Sequence, residues 1–208
     1  MMGCTTLTPI DPNEYDVGAT DRPRRIPMER SSAVRYTYQD LLALPQSATR
    51  HEILDGKLYV TAAPRVNHQR VVRDMGAIMH GLAREHGLGE VVGPVTIHAH
   101  DEMVFEPDLV FVRADRSQII DPEGDVHGVP DLVIEVLSPS NRSYDRNMKR
   151  KHYFESGVPE VWLVDIASRS IDVWRSDSPT PERVREAVTW RVGELTLEIP
   201  LEQVFMAV

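Results

Sequence analysis

One carboxylate in this chain stands where an ionised group is expensive. Glu135 interrupts the apolar run DLVIEVLS, between Ile134 and Val136. That run is apolar on both of its alternating faces, so the carboxylate has no solvated side to turn to. A buried charge is tolerated when it is paired, hydrogen-bonded or bound to a metal. A second acid, Asp108, follows Pro107 and opens the apolar segment LVFV. Asp131 follows Pro130 in the same way and is its rival. An aspartate at such a place is also an ordinary turn residue. The third group is Lys149, in the basic stretch RSYDRNMKRKH. Asp145 stands four residues before it, so a surface ion pair worth about 0.3 kcal/mol is the plain alternative.

Two carboxylates on adjacent strands can share a divalent cation. Mg²⁺ takes oxygen ligands and commonly uses one or two carboxylates, several waters and a phosphate. Such a cation activates water and stabilises charge on a phosphodiester. A lysine beside it would orient the attacking hydroxide or offset that charge. Other groups carry weaker signals. His68 precedes the long helix and could approach the site, with a surface or cap histidine as the plainer reading; His80, His86, His98 and His100 share no metal-ligand spacing. No Gly-x-Ser-x-Gly turn surrounds Ser138 or Ser140. There is no P-loop, dinucleotide glycine fingerprint or helix-turn-helix pattern.

The elements that must position these groups are legible. Thr37 is placed to cap a short helix through YQDLLALP, which Pro45 stops. HEILDGKLYVTAAP reads as a hairpin around Asp55-Gly56. From Val66 to about His86, residues Val71, Val72, Met75, Ile78, Met79 and Leu82 recur at helical spacing, and Gly87 and Gly89 close the helix. EVVGPVTIHA and EMVFEPDLVFVR are strand segments, and DLVIEVLS is a central strand. A basic helix follows from about Ser143 to Ser156, stopped by Gly157. EVWLVDI and SIDVWR are strands joined at Ala167-Ser168-Arg169, with Asp165 ending the first. Beyond a Pro-rich loop, SDSPTPER, the segments EAVTWR and LTLEIP form a hairpin around Val192-Gly193-Glu194. Trp162, Trp174 and Trp190 sit in strand patterns and belong to the core. The sum is one α/β (α+β) domain over residues 34–208, a mixed β-sheet core flanked by helices.

Composition bounds the rest. The chain has 208 residues and a single cysteine, Cys4, so neither an internal disulfide nor a Cys-based zinc site is available. Residues 1–33 lack periodicity and are expected to be a disordered extension, or to reflect a start placed too far upstream. Their opening, MMGCTTLTPIDPNEYD, has no apolar stretch of the secretory kind. No run is apolar and long enough for a membrane span, and a cytoplasmic protein is expected. The net charge of −9 opposes broad nucleic-acid binding, which phosphate contacts dominate.

The segments HEILDGKLYVTAAP, EPDLVFV and PDLVIEVLSPSNRSYDRNMKRKHYFESGVPEVWLVD resemble the Uma-type restriction endonuclease family. That family is a branch of the PD-(D/E)XK nuclease superfamily. The likeness covers roughly residues 36–200 and is most specific from Pro130 to Asp165. It implies a restriction endonuclease-like fold. It also implies a Mg²⁺- or Mn²⁺-dependent endonuclease acting on DNA, with a homodimer to cut both strands. Asp108 matches the PD aspartate, Glu135 the second acid, and Glu52 an additional glutamate near the start of the domain. Glu52, Asp108 and Glu135 are then the metal ligands. The motif's lysine is expected two residues after the second acid, where this chain has Leu137. Lys149, on the following helix, matches instead, and its long stem can reach back. His51 stands where an aromatic residue is expected. The competing implication is a catalytically inactive nuclease fold that binds nucleic acid or protein.

Overall fold

Local signals fix the first elements. The computed structural model describes residues 35–44, 49–61, 63–122, 124–137 and 145–208. The N-terminal extension, Pro45, the Ser138-Pro139-Ser140 end of the central strand and the side chain of Asp145 lie outside them. Helix α1 (Tyr38–Leu42) has a reciprocal cap, because Thr37 and Asp40 each satisfy the other's backbone N–H. Strands β1 (Arg50–Leu54) and β2 (Lys57–Thr61) form a hairpin. Asp55 and Gly56 turn it with φ of 52° and 71°, as a two-residue primed turn demands. Helix α2 (Val66–His86) ends at Gly87, whose φ is 61°.

The two long apolar segments do not each stay in one sheet. The first becomes β3 (Gly89–Val92) and β4 (Ile97–His100), parted at Gly93-Pro94. The second becomes β5 (Met103–Phe105) and β6 (Leu109–Arg113), parted at Glu106-Pro107-Asp108. Proline lacks the N–H that a ladder needs, so each break lets the chain change sheets. Strands β3 and β6 join one sheet, while β4 and β5 join another. After a 3-10 turn (Ala114–Ile119) come β7 (Val126–His127) and β8 (Leu132–Leu137). A π-helical turn (Asp145–Lys149) runs into α3 (Arg150–Glu155). The chain finishes with β9 (Glu160–Asp165), β10 (Ser170–Arg175), β11 (Glu182–Val184), the hairpin β12 (Ala187–Val192) and β13 (Leu195–Pro200), and α4 (Leu201–Val204).

The expected mixed core is the six-stranded sheet β11-β10-β9-β8-β6-β3. Its β8 and β9 run parallel, and the other pairs run antiparallel. A parallel pair needs a crossover, and α3 supplies it. A second sheet, β2-β1-β5-β4-β7, and the separate β12-β13 hairpin complete the fold. The segment read as a Pro-rich loop ends in edge strand β11, where Arg183 is ion-paired to Asp172 at 2.5 Å.

Burial explains the layering. Leu132, Ile134 and Val136 of β8 share a core with Val71, Met75 and Met79 of α2. Trp190 of the hairpin closes that side, edge-on to Phe111 at 4.8 Å. Val133 and Leu137, on the other face of β8, pack with Tyr153, Leu54 and Phe105. Glu135 lies between them on that second face by the alternation of a strand. Among the described residues no helix is long and apolar enough to cross a membrane.

Candidate active site

Strand register brings the first two acids level. Strand β6 pairs antiparallel with β8, Leu109 opposite Ile134, so one step further sets Asp108 across from Glu135. Val136 N–H donates to Asp108 Oδ2 at 2.8 Å. Both acids are buried, at 1% and 3% exposure. Glu52, at 2%, enters from β1 in the second sheet. Glu106 N–H donates to Glu52 Oε1 at 3.0 Å, and His51 N–H donates to Glu106 Oε1 at 3.4 Å. The Glu106-Pro107-Asp108 crossing is thereby stitched to β1.

Lys149 reaches this cluster from the helix. Its Nζ lies 2.8 Å from Glu52 Oε1 and also pairs with Glu135 Oε1. Like the acids it is buried. One helical turn later, on the same face, Tyr153 donates its hydroxyl to Glu135 Oε1 at 2.5 Å. The Tyr153 ring packs on Phe105 at 4.5 Å. Leu137, where the motif's lysine would stand, is fully buried in the core.

Two further residues join the site. Arg50, at the start of β1, donates from Nη1 to Asp108 Oδ1 at 2.7 Å. Of the two readings of His68, the structure has the approach to the site and not the surface or cap position: it is buried in the first turn of α2, with Nε2 3.0 Å from Asp108 Oδ2. Its Nδ1 is buried without a hydrogen-bond partner among the described residues. Neither has a spacing signature. Both are recognisable by contact with an acid that is remote in sequence. The rival Asp131 lies at the opposite end of β8, accepting from Arg113 N–H at 3.0 Å and Arg116 Nη1 at 2.8 Å. Asp165 ends β9 by accepting from Ala167 N–H at 3.0 Å. Trp174 carries the Arg150 guanidinium 3.9 Å above its ring.

The site holds more negative charge than positive. Asp108, Glu52 and Glu135 face two permanent cations, Lys149 and Arg50. Burial holds the Glu135 carboxyl above its ordinary range; Lys149 opposes this, while Asp108 and Glu52 add to it. Burial alone would also raise Asp108, but the bonds and charges of His68 and Arg50 outweigh it and hold the carboxyl low. The Tyr153 hydroxyl is pushed well up, first by burial and then by Glu135. It therefore stays a donor.

Hard carboxylate oxygens and excess negative charge suit a divalent cation of the Mg²⁺ type. Among the described residues, no three His, Cys, Asp or Glu side chains converge as a ready metal cage. Mg²⁺ does not require one, since it commonly takes one or two carboxylates and completes its shell with water and phosphate. Asp108 and Glu135, level on adjacent strands, are the carboxylates that could share such an ion, with Glu52 alongside.

Residues 38–205 match the model of the Uma2 family, whose description is "Putative restriction endonuclease". A solved structure from Anabaena variabilis ATCC 29413, described as a putative nuclease belonging to DUF820, is similar at a TM-score of 0.67. The likeness covers 82% of this chain and 97% of that one at 18% identity. At that identity it speaks for the fold. No curated protein matches the sequence. The family match runs from α1 to the cap of α4, across every element that bears a site residue, and the chain belongs to the Uma2 family of restriction endonuclease-like proteins.

Proposed function

We propose that the protein is an endonuclease that hydrolyses DNA phosphodiester bonds with the help of Mg²⁺ or Mn²⁺. The observation that carries this reading is Lys149, an ammonium buried between two buried glutamates. A phosphodiester gains negative charge on the way to its transition state. A fixed cation in a water-poor site offsets that charge with little reorganisation. Asp108 and Glu135 are the metal ligands in this reading. Glu52 positions a second cation or the attacking water. The bound cation would supply Lewis acidity for water activation and charge neutralisation. Tyr153 and Glu106 N–H keep Glu135 and Glu52 oriented. Among the described residues there is one such site, so cutting both strands of a duplex calls for two chains.

A second reading has one observation in its favour. The acids are already satisfied by Lys149, Arg50 and His68, which is also how a retired site would be held as a binding module. A plasmid-nicking assay separates the two. Supercoiled plasmid should be cut with Mg²⁺ or Mn²⁺ and left intact with chelator. Lys149→Met should slow cutting by roughly 10²-fold. A wild type that cuts nothing, or Glu135→Ala cutting at the wild-type rate, sinks the nuclease reading.

A further inference from the structure

Arg50 differs from the other basic side chains of the site. Its side chain is 19% exposed, against 5% for Lys149 and 8% for His68. It lies at the solvent side of the cluster, two residues before Glu52. Among the described residues its guanidinium makes one hydrogen bond, from Nη1 to Asp108 Oδ1. A guanidinium has five N–H donors, so most of its capacity is unspent.

The two oxygens of Asp108 are held in different ways. Oδ2 accepts from Val136 N–H at 2.8 Å and lies 3.0 Å from His68 Nε2. Releasing those means moving β8 or α2. Oδ1 is held by Arg50 alone among the described residues. Oδ1 is therefore the oxygen open to exchange.

We propose that Arg50 is a substrate-phosphate contact held in reserve: its ion pair with Asp108 Oδ1 gives way when a divalent cation takes that oxygen, and the guanidinium then binds a phosphate of the DNA chain. The inference rests on the nuclease reading above. Charge supports the exchange, because a doubly charged ion at Oδ1 outcompetes and repels a singly charged one. Exposure supports the direction, because Arg50 is the most exposed of the three basic side chains, so the guanidinium can turn to a ligand from solvent with the least disturbance of the core. Chemistry supports the destination, because the planar guanidinium fork matches phosphate oxygens.

Two binding measurements test this without reference to turnover. In the first, Mn²⁺ is titrated by electron paramagnetic resonance into DNA-free wild type, Arg50→Gln and Arg50→Lys. Arg50→Gln should bind Mn²⁺ about tenfold tighter, since no cation must leave Asp108. Arg50→Lys should stay near wild type. In the second, fluorescence anisotropy follows a labelled short duplex with Ca²⁺ in place of Mg²⁺. Arg50→Gln should bind it roughly tenfold more weakly, and Arg50→Lys several-fold more weakly, for want of the fork. Arg50→Gln that takes Mn²⁺ no tighter, or duplex no more weakly, overturns the proposal. If circular dichroism shows Arg50→Gln unfolded, Arg50→Lys decides, and wild-type duplex affinity in it overturns the proposal. A wild type that binds neither Mn²⁺ nor duplex overturns the nuclease reading itself.

Discussion

Lys149 brings a positive charge to Glu52 and Glu135 from a helix, whereas position 137 lies on the strand. Position 137 shares a face with Glu135, and there Leu137 fills the core beside Tyr153. Its own neighbours in sequence offer Lys149 as one cation in a basic stretch, and the family resemblance offers it as the displaced lysine; its ammonium and the hydroxyl of Tyr153, four residues on, both reach Glu135 Oε1. Removing one partner of a buried ion pair leaves the others uncompensated. Lys149→Met should therefore lower the stability of the metal-free protein by about 3 kcal/mol. Added Mn²⁺ should restore part of the loss, and an unchanged melting temperature would contradict the pairing. Protonation gives a second prediction. Glu135 is held above its ordinary value near 4.5, chiefly by burial. A raised carboxyl contributes stability that is full below about 4.5 and lost as pH rises through its folded value. Asp108 runs the other way, its contribution being present above an ordinary value near 3.8 and lost as pH falls through its folded value. Metal-free Glu135→Gln should accordingly melt above wild type at pH 7 and close to it at pH 4. Equal shifts at both pH values, by circular dichroism, would refute this assignment. The same proton must leave before a cation binds, so Mn²⁺ affinity should fall as the solution is acidified.

At the scale of elements, what was legible was local and what was hidden was relational. The Thr37 cap, the Asp55-Gly56 turn and the span of α2 follow from neighbours in sequence, and the structure has them as expected. The division of two apolar segments between two sheets does not, because a strand's pattern says nothing about which partner it takes. Arg50 was illegible for the same reason, and His68 was legible only as a histidine before the long helix that could approach the site. Their meaning lies in Asp108, 58 residues from Arg50 along the chain. The crossings at Gly93 and Asp108 are where these elements meet, and Gly93 tests them. Its φ is 154°, and an added Cβ would lie 2.3 Å from the Asp108 carbonyl oxygen. Neither the backbone at Asp108 nor the conformation at Gly93 can yield cheaply. Gly93→Ala should cost about 1–3 kcal/mol and weaken Mn²⁺ binding through Asp108. Gly81 is the control, since a Cβ there meets nothing within 4 Å on helix α2. Gly81→Ala should raise stability by about 0.5–1 kcal/mol and leave Mn²⁺ affinity alone. Similar effects from both, in melts and titrations run side by side, would count against a special role for the Gly93 crossing.

At the scale of the whole molecule, a net charge of −9 sets how substrate can be held. The basic stretch is partly consumed within the fold. Lys149 is buried among the acids, and Arg150 lies 3.9 Å over the Trp174 ring. Lys151 is 3.5 Å from Glu155 on the exposed side of α3. Of the three cations of the stretch whose side chains are described, two are thus turned into the fold. Binding should then run through the site itself, where a divalent cation and Arg50 meet the phosphates. Each phosphate neutralised by a side chain contributes about −0.9 to the slope of log K against log salt. A footprint of two or three contacts gives a slope of roughly −2 to −3, shallow for a protein that handles DNA. Chelation should cost more affinity than raising NaCl from about 50 to about 200 mM, the range over which broadly basic binders lose several orders of magnitude. Anisotropy titrations of a labelled duplex across that range, with and without Ca²⁺, measure both quantities. A slope near −6 that persists under chelation would place the binding energy in an extended cationic surface and take it away from the buried carboxylates.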